Sequence, residues 1–297
     1  MRMLNRCFLY CYRTLLFIAF LELSSCEQNT QEDCCPYFIL PEFSMHQSMA
    51  IHFNDALFVT FENNQLICDI YDLSTKTHKK TLTLPFGDHS APHANVSCLG
   101  NYLFSSNSDY PCLYVSQWDG QRMAFVYNIN TKDSITEASL VQVIDPSQLT
   151  EDIIGFGCLD WVVDEEGAYI YSVSYQKSNS AFDFYDNSTI ITKFKLPDPY
   201  SSDYVYLTDE DILDSFHIPI INVSQDKCFY KGLLYIASGY SDSKHFFPNV
   251  LYRVDVNKKE SIGCLINING EPEGLSVYNG RLLINMCDHS GRMFYLN

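Results

Sequence analysis

Five residues that end in a side-chain oxygen, Gln47, Asn95, Asp160, Gln225 and Glu273, each open a copy of one short pattern. The clearest copy is Glu273-Gly274-Leu275-Ser276-Val277, then Tyr278-Asn279-Gly280, then Leu282-Leu283-Ile284. His46 stands one residue before Gln47, and His93 and Glu271 stand two residues before Asn95 and Glu273. Gathered in one place, such a set suits several chemistries. Side-chain hydrogen bonds would hold a small polar molecule or a glycan. Oxygen ligands would hold a hard cation such as Ca²⁺, with waters completing about 6–8 ligands. General acid–base catalysis would require Asp160 and Glu273 to hold different protonation states. A structural alternative stays open, in which carboxamides and carboxylates satisfy backbone groups facing a wet channel through water. Binding ranks above catalysis, because Asp160 and Glu273 belong to opposed copies of the pattern.

Other motifs carry less. Asp88-His89-Ser90 and Asp288-His289-Ser290 resemble triads written in a line, but catalytic sets converge in space, not along three consecutive residues. The chain has no G-x-S-x-G, H-E-x-x-H or phosphate-cradling glycine loop. Trp118, Tyr175, Tyr185, Tyr240, Phe246 and Phe247 fall in loop or loop-edge positions, where exposed rings would stack on sugars and buried ones would pack. No catalytic residue is assigned.

The elements that position the five residues follow from the spacing. Each copy reads as a polar start, a strand, a tight turn and a second strand. The starts lie 48, 65, 65 and 48 residues apart. Multi-stranded periods of about 40–50 residues indicate propeller blades, and abundant Tyr (21) and Phe (20) suit sheets packed face to face. The expected fold is an all-β propeller over residues 34–297, with five four-stranded blades preferred and six an alternative. The last blade, starting at Glu273, has room for only three strands before the sequence ends. Tyr37–Leu40 is therefore expected to pair with Arg292–Tyr295 and close the ring. Thr189–Leu196 and Tyr204–Leu207 are both expected inside the third blade.

The N-terminus reads differently. Arg2, Arg6 and Arg13 precede an apolar run from Leu15 to Phe20, and Leu23-Ser24-Ser25-Cys26 follows. A basic region, a short apolar segment and a small-residue site make residues 1–25 a signal peptide. This one resembles a bacterial lipoprotein signal, which implies lipid on Cys26 and a tether over residues 26–33. The localisation implied is a lipid-anchored envelope protein of the outer membrane, facing the periplasm or the cell surface. The net charge of −17 disfavours phosphate backbones, so nucleic acid is not an expected partner. Of twelve cysteines, nine remain once Cys7, Cys11 and Cys26 are set aside. Several sit in strand patterns, where Cys behaves as a small hydrophobe.

From about residue 44 to 297 the chain resembles a group of Bacteroidales propeller lipoproteins often described as TolB-like. The resemblance rests on His93-Ala94-Asn95, on Tyr110-Pro111-Cys112-Leu113-Tyr114-Val115-Ser116 and on Glu271-Pro272-Glu273-Gly274. It implies the fold and no reaction. The expected function is non-catalytic binding of a small polar ligand, glycan or envelope protein at one channel mouth by Gln47, His93, Asn95, Asp160, Gln225, Glu271 and Glu273. The alternative is a hydrolase or lyase using channel carboxylates.

Overall fold

The computed structural model describes residues 34–39, 46–90, 92–117, 120–131, 137–176, 188–219, 221, 223–241, 246–287 and 292–296. Cys26, the segment before it and the tether lie outside these residues. Strand β1 covers Cys34–Ile39. Blade one is β2 (Ser48–His52), β3 (Asp55–Glu62), β4 (Gln65–Asp72) and β5 (Thr77–Leu84). Blade two is β6 (Ser97–Leu99), β7 (Leu113–Ser116), β8 (Ala124–Asn130) and β9 (Glu137–Asp145). Blade three begins with β10 (Phe156–Val163), β11 (Tyr169–Tyr175) and β12 (Ser188–Lys195). The chain then leaves it for β13 (Tyr204–Tyr206) and returns in β14 (Ile212–Pro219). Blade four is β15 (Ser224–Tyr230), β16 (Leu233–Ser241), β17 (Phe246–Asp255) and β18 (Glu260–Leu265). Blade five is β19 (Glu271–Tyr278), β20 (Arg281–Cys287) and β21 (Arg292–Leu296), with β1 as its outermost strand.

The protein is a five-bladed β-propeller. The innermost strands β2, β6, β10, β15 and β19 touch their neighbours in turn around one axis. Within blades the connections are tight. Asn63-Asn64, Lys231-Gly232 and Asn279-Gly280 hold φ values of 50–77°, the left-handed region that two-residue hairpin turns require. The ring is closed by β1, antiparallel to β21 from Cys34 opposite Leu296 to Ile39 opposite Arg292. Blade five thereby gains its fourth strand, and both ends of the ring lie in one sheet.

One expectation is corrected. Tyr204–Leu207 does not belong to blade three: β13 runs parallel to β9 as a fifth strand on the outside of blade two, with Tyr204 opposite Val143. The connection leading to it is tied there first. Gln142 Nε2 donates to the carbonyls of Asp198 and Ser202 at 3.0 and 2.8 Å, and Val143 N donates to Asp203 O at 2.8 Å. This covers an otherwise open sheet edge, and β14 takes the outer place in blade three.

The apolar core lies between blades. Leu57, Val59, Leu113 and Phe125 pack blade one on blade two, and Trp161, Ile191 and Phe194 lie in the cluster shared by blades two, three and four. Leu251, Leu275 and Ile284 join blades four and five, and Met49, Phe58, Tyr278 and Leu283 join blades five and one. At that last seam a Cβ on Gly274 would lie 2.9 Å from Met49 Cβ and 3.1 Å from Asn285 Cβ. Only glycine lets blade five close this tightly onto blade one.

Candidate functional site: a plugged channel with two mouths

In three blades the inner strand is irregular near its start. Register shifts lie between Phe156 and Asp160 in β10, between Ser224 and Lys227 in β15, and between Pro272 and Gly274 in β19. Bulged residues leave the ladder and point in new directions. Gln225, Asp226 and Glu273 are such residues, and Asp160 sits where the β10 ladder resumes.

Below these starts the axis is filled by a polar plug. The Asp160 carboxylate, 2% exposed, receives Lys227 Nζ at 2.6 Å and Asn95 Nδ2 at 3.1 and 3.2 Å. Lys227, fully buried, also donates to Gln225 O at 2.8 Å. Asn95 Nδ2 reaches the carbonyls of Ser224 and Gln225 at 3.3 and 3.4 Å, and Gln225 Nε2 donates to Gly239 O at 3.2 Å. Beside this network, Asp226 Oδ2 accepts the amides of Met49 at 3.0 Å and Leu275 at 2.8 Å, and its Oδ1 accepts that of Lys227 at 2.8 Å. Asp160 and Lys227 join blades three and four, Asn95 brings in blade two, and Asp226 ties blade four to blades one and five. The plug thus fastens all five inner strands. Burial pushes the Asp160 carboxyl up, and Lys227 and Asn95 pull against it. Burial pushes Asp226 further up, opposed by its three backbone amides and Lys227. Lys227 Nζ stands where a cation would stand, between a carboxylate and a carbonyl. Among the described residues no group of three or more His, Cys, Asp or Glu is arranged to hold a metal ion.

Above the plug lies the upper mouth. Gln47, His93, Glu271 and Glu273 are half-buried there. Gln47 Nε2 is 2.9 Å from His93 Nε2, and its Oε1 accepts Phe61 N at 3.2 Å. Glu271 Oε1 accepts Ser241 N at 3.2 Å. Burial, then the charge of Glu271 and a hydrogen bond with its side chain, push the Glu273 carboxyl well above the usual range.

Of the seven residues the sequence offers as a binding ring, the structure divides them. Asn95, Asp160 and Gln225 are buried in the plug and bonded to one another or to backbone. Gln47, His93, Glu271 and Glu273 line the mouth. His46 belongs to neither: it is buried on Phe58, with Nε2 3.2 Å from Asp69 Oδ2. Asp226 and Lys227 escaped the sequence reading. Their signal was the run Gln225-Asp226-Lys227, three polar residues opening a strand that is otherwise buried. Tyr175 is buried, Tyr240 and Phe247 are half-buried and Phe246 is exposed, while Trp118, Tyr185 and Asp288–Ser290 lie outside the described residues. The seven described cysteines outside β1 are thiols, not disulfides.

The lower mouth is built from the other ends of the same strands. Ala50, Leu99, Val163, Phe229 and Leu275, one from each blade, line a cup of ≈ 160 Å³. At its rim Glu165 accepts the amides of Lys231 and Gly232 at 2.8 and 2.7 Å, locking blade three onto the blade-four hairpin.

No family model matches the chain, and no curated protein matches it either. Solved structures with a similar course include Kuenenia stuttgartiensis hydrazine synthase, at 11% identity and a TM-score of 0.43 over 81% of this chain and 61% of that one. Another is the Pan2 WD40 domain of Neurospora crassa, at 8% identity and a TM-score of 0.36 over 84% of this chain and 62% of that one. The chain spans about three fifths of each.

Proposed function

We propose that the protein is a non-catalytic binding module that takes a small, neutral polyhydroxylated ligand, free or as part of a glycan, at the upper mouth. The observation that carries this reading is the set Gln47, His93, Glu271 and Glu273, half-buried above a plug whose polar groups are already engaged. Two carboxyl groups, an imidazole and a carboxamide together supply the hydrogen-bond partners that a polyol's hydroxyls need. The plug fills the axis beneath these residues, and the acidic chain disfavours anions. The enzyme alternative is weaker, because Asp160 is held by Lys227 and Asn95 and cannot approach a reacting group. We place the propeller in the cell envelope, anchored by lipid on Cys26, a reading supported by the Leu23-Ser24-Ser25-Cys26 sequence.

The test is a glycan screen followed by calorimetry on the wild type and on the double variant Glu271→Gln/Glu273→Gln, with folding checked by circular dichroism. At least about a tenfold loss of affinity is expected, from hydrogen bonds to the two carboxyl groups that carboxamides replace less well. Equal affinity would remove the upper mouth from the binding site. Turnover of a glycan that vanishes in the variant would favour the enzyme reading. Separately, Cys26→Ser is expected to release the protein from the membrane fraction, and unchanged retention would contradict lipid anchoring there.

A further inference from the structure

An open cleft of ≈ 370 Å³ lies at the seam between blades three and four. Strands β11, β12 and β14 supply most of its lining, and the turn between β17 and β18 completes it. It shares no lining residue with the lower cup. Tyr171 and Phe216 are buried in it, Tyr169 is half-buried, and Leu213 is 53% exposed. Leu213 owes its place to a bulge: Lys193 lies opposite Asp214 and Phe194 opposite Ile212, so Leu213 has no partner on β12. Bulges re-aim side chains, and this one leaves a large apolar residue open to the cleft.

The charges of the cleft run against those of the chain. Lys193 Nζ lies 3.5 Å from the centre of the Tyr169 ring and 5.7 Å from that of Tyr171. The two rings hold the ammonium, yet it has no hydrogen-bond or ion-pair partner among the described residues. Asp214, its neighbour across the sheet, is taken by Lys259 Nζ at 2.8 Å. Beside the flanking turns, Asp164 accepts the amides of Ala168 and Tyr169, both at 2.9 Å, and Asp255 pairs with Lys258 at 3.0 Å. Lys193 and Lys259 against Asp214 leave one surplus positive charge, in a chain whose net charge is −17. An ammonium brings three donors and no acceptor, so the group it lacks is an anion.

We propose that this cleft binds a small carboxylate with an aromatic or branched apolar body. Its carboxylate takes hydrogen bonds from Lys193 Nζ, and its body packs on Tyr169 and Leu213. One surplus charge matches one carboxylate, and the described lining has no arginine to clamp a phosphate. The volume falls within the range of about 300–1,000 Å³ usual for small-molecule clefts. The site is built from other residues than the upper mouth and does not depend on how that mouth is used.

The test is protein-observed NMR on the full propeller with phenylacetate, benzyl alcohol and inorganic phosphate. Phenylacetate should bind saturably, with shifts at Tyr169, Lys193 and Leu213, and both other probes should bind more weakly. Lys193→Gln breaks no ion pair and should weaken phenylacetate about tenfold, one charge-assisted hydrogen bond, while leaving benzyl alcohol unchanged. Leu213→Asp, at an exposed position, should abolish phenylacetate binding by setting a like charge in the cleft. Glu271→Gln/Glu273→Gln should leave phenylacetate binding unchanged. Absence of saturable phenylacetate binding, an affinity unmoved by Lys193→Gln or by Leu213→Asp, or phosphate or benzyl alcohol bound as tightly as phenylacetate would each overturn the proposal.

Discussion

The two ends of the same five strands differ in regularity as well as in polarity. At the upper end β10, β15 and β19 are bulged; Gln225, Asp226 and Glu273 leave the ladder, and Asp160 sits where that of β10 resumes. The bulged residues are joined there by Asn95 and by the ladder-paired Lys227, which complete the plug. At the lower end Val162, Cys228, Leu275 and Ser276 sit in unbroken ladders, and the wall mixes apolar residues with Ser97, Asp164, Glu165 and Ser276. Where the chain is bulged it builds a polar network, and where it is regular it builds a cup.

The largest expected effects lie in the plug. Lys227→Met leaves the Asp160 carboxylate buried without its ion-pair partner, and breaking such a pair costs about 3–5 kcal/mol. Asp226→Ala leaves the amides of Met49, Leu275 and Lys227 without an acceptor, at about 1–3 kcal/mol each where water cannot replace it. Urea unfolding should show both losses, whereas Ser276→Phe at the lower wall should stay within about 1 kcal/mol of wild type. Equal losses at the two ends would break the contrast.

A smaller effect is expected at the upper mouth, and it depends on pH. Glu273 has a folded pKa raised by burial and by Glu271. Its favourable contribution is complete below the ordinary glutamate range of the unfolded chain and is lost as pH rises through the folded value. Glu273→Gln should therefore raise Tm by a few degrees at neutral pH and make little difference at pH 4. A variant less stable than wild type at pH 7 and equal to it at pH 4 would contradict the sign.

The smallest effect concerns the lower rim. Phe53 is 83% exposed and holds φ at 53°, where the sister hairpins place Lys231-Gly232 and Asn279-Gly280. Phe53→Gly should stabilise by about 0.5–1 kcal/mol, the relief of the left-handed conformation less the chain entropy of glycine.

Much of the fold was legible because repetition amplifies weak signals. Five copies of polar start, strand and turn placed the inner strands, and the missing strand after Arg292–Tyr295 pointed to the N-terminal segment. Tyr204–Leu207 was misplaced because its pairing is decided by hydrogen bonds from Gln142 and Val143, more than fifty residues away. The ring positions were legible as a set, but their fates were not. Periodicity assumes one residue per strand position, and the bulge in β15 carries two, Gln225 and Asp226. That extra residue lets Lys227 reach Asp160 and lets Asp226 collect amides from three blades, a division of labour that no local pattern reveals.

The upper mouth, above the plug, is the proposed polar binding site. Amide chemical-shift mapping with a glycan found by screening tests this most directly. The predicted result is a set of shifts centred on Gln47, His93, Ser241, Glu271 and Glu273, with Ser97, Cys98 and Cys228 unmoved. Shifts centred on the lower cup, or on the outer strands with the upper mouth silent, would contradict it.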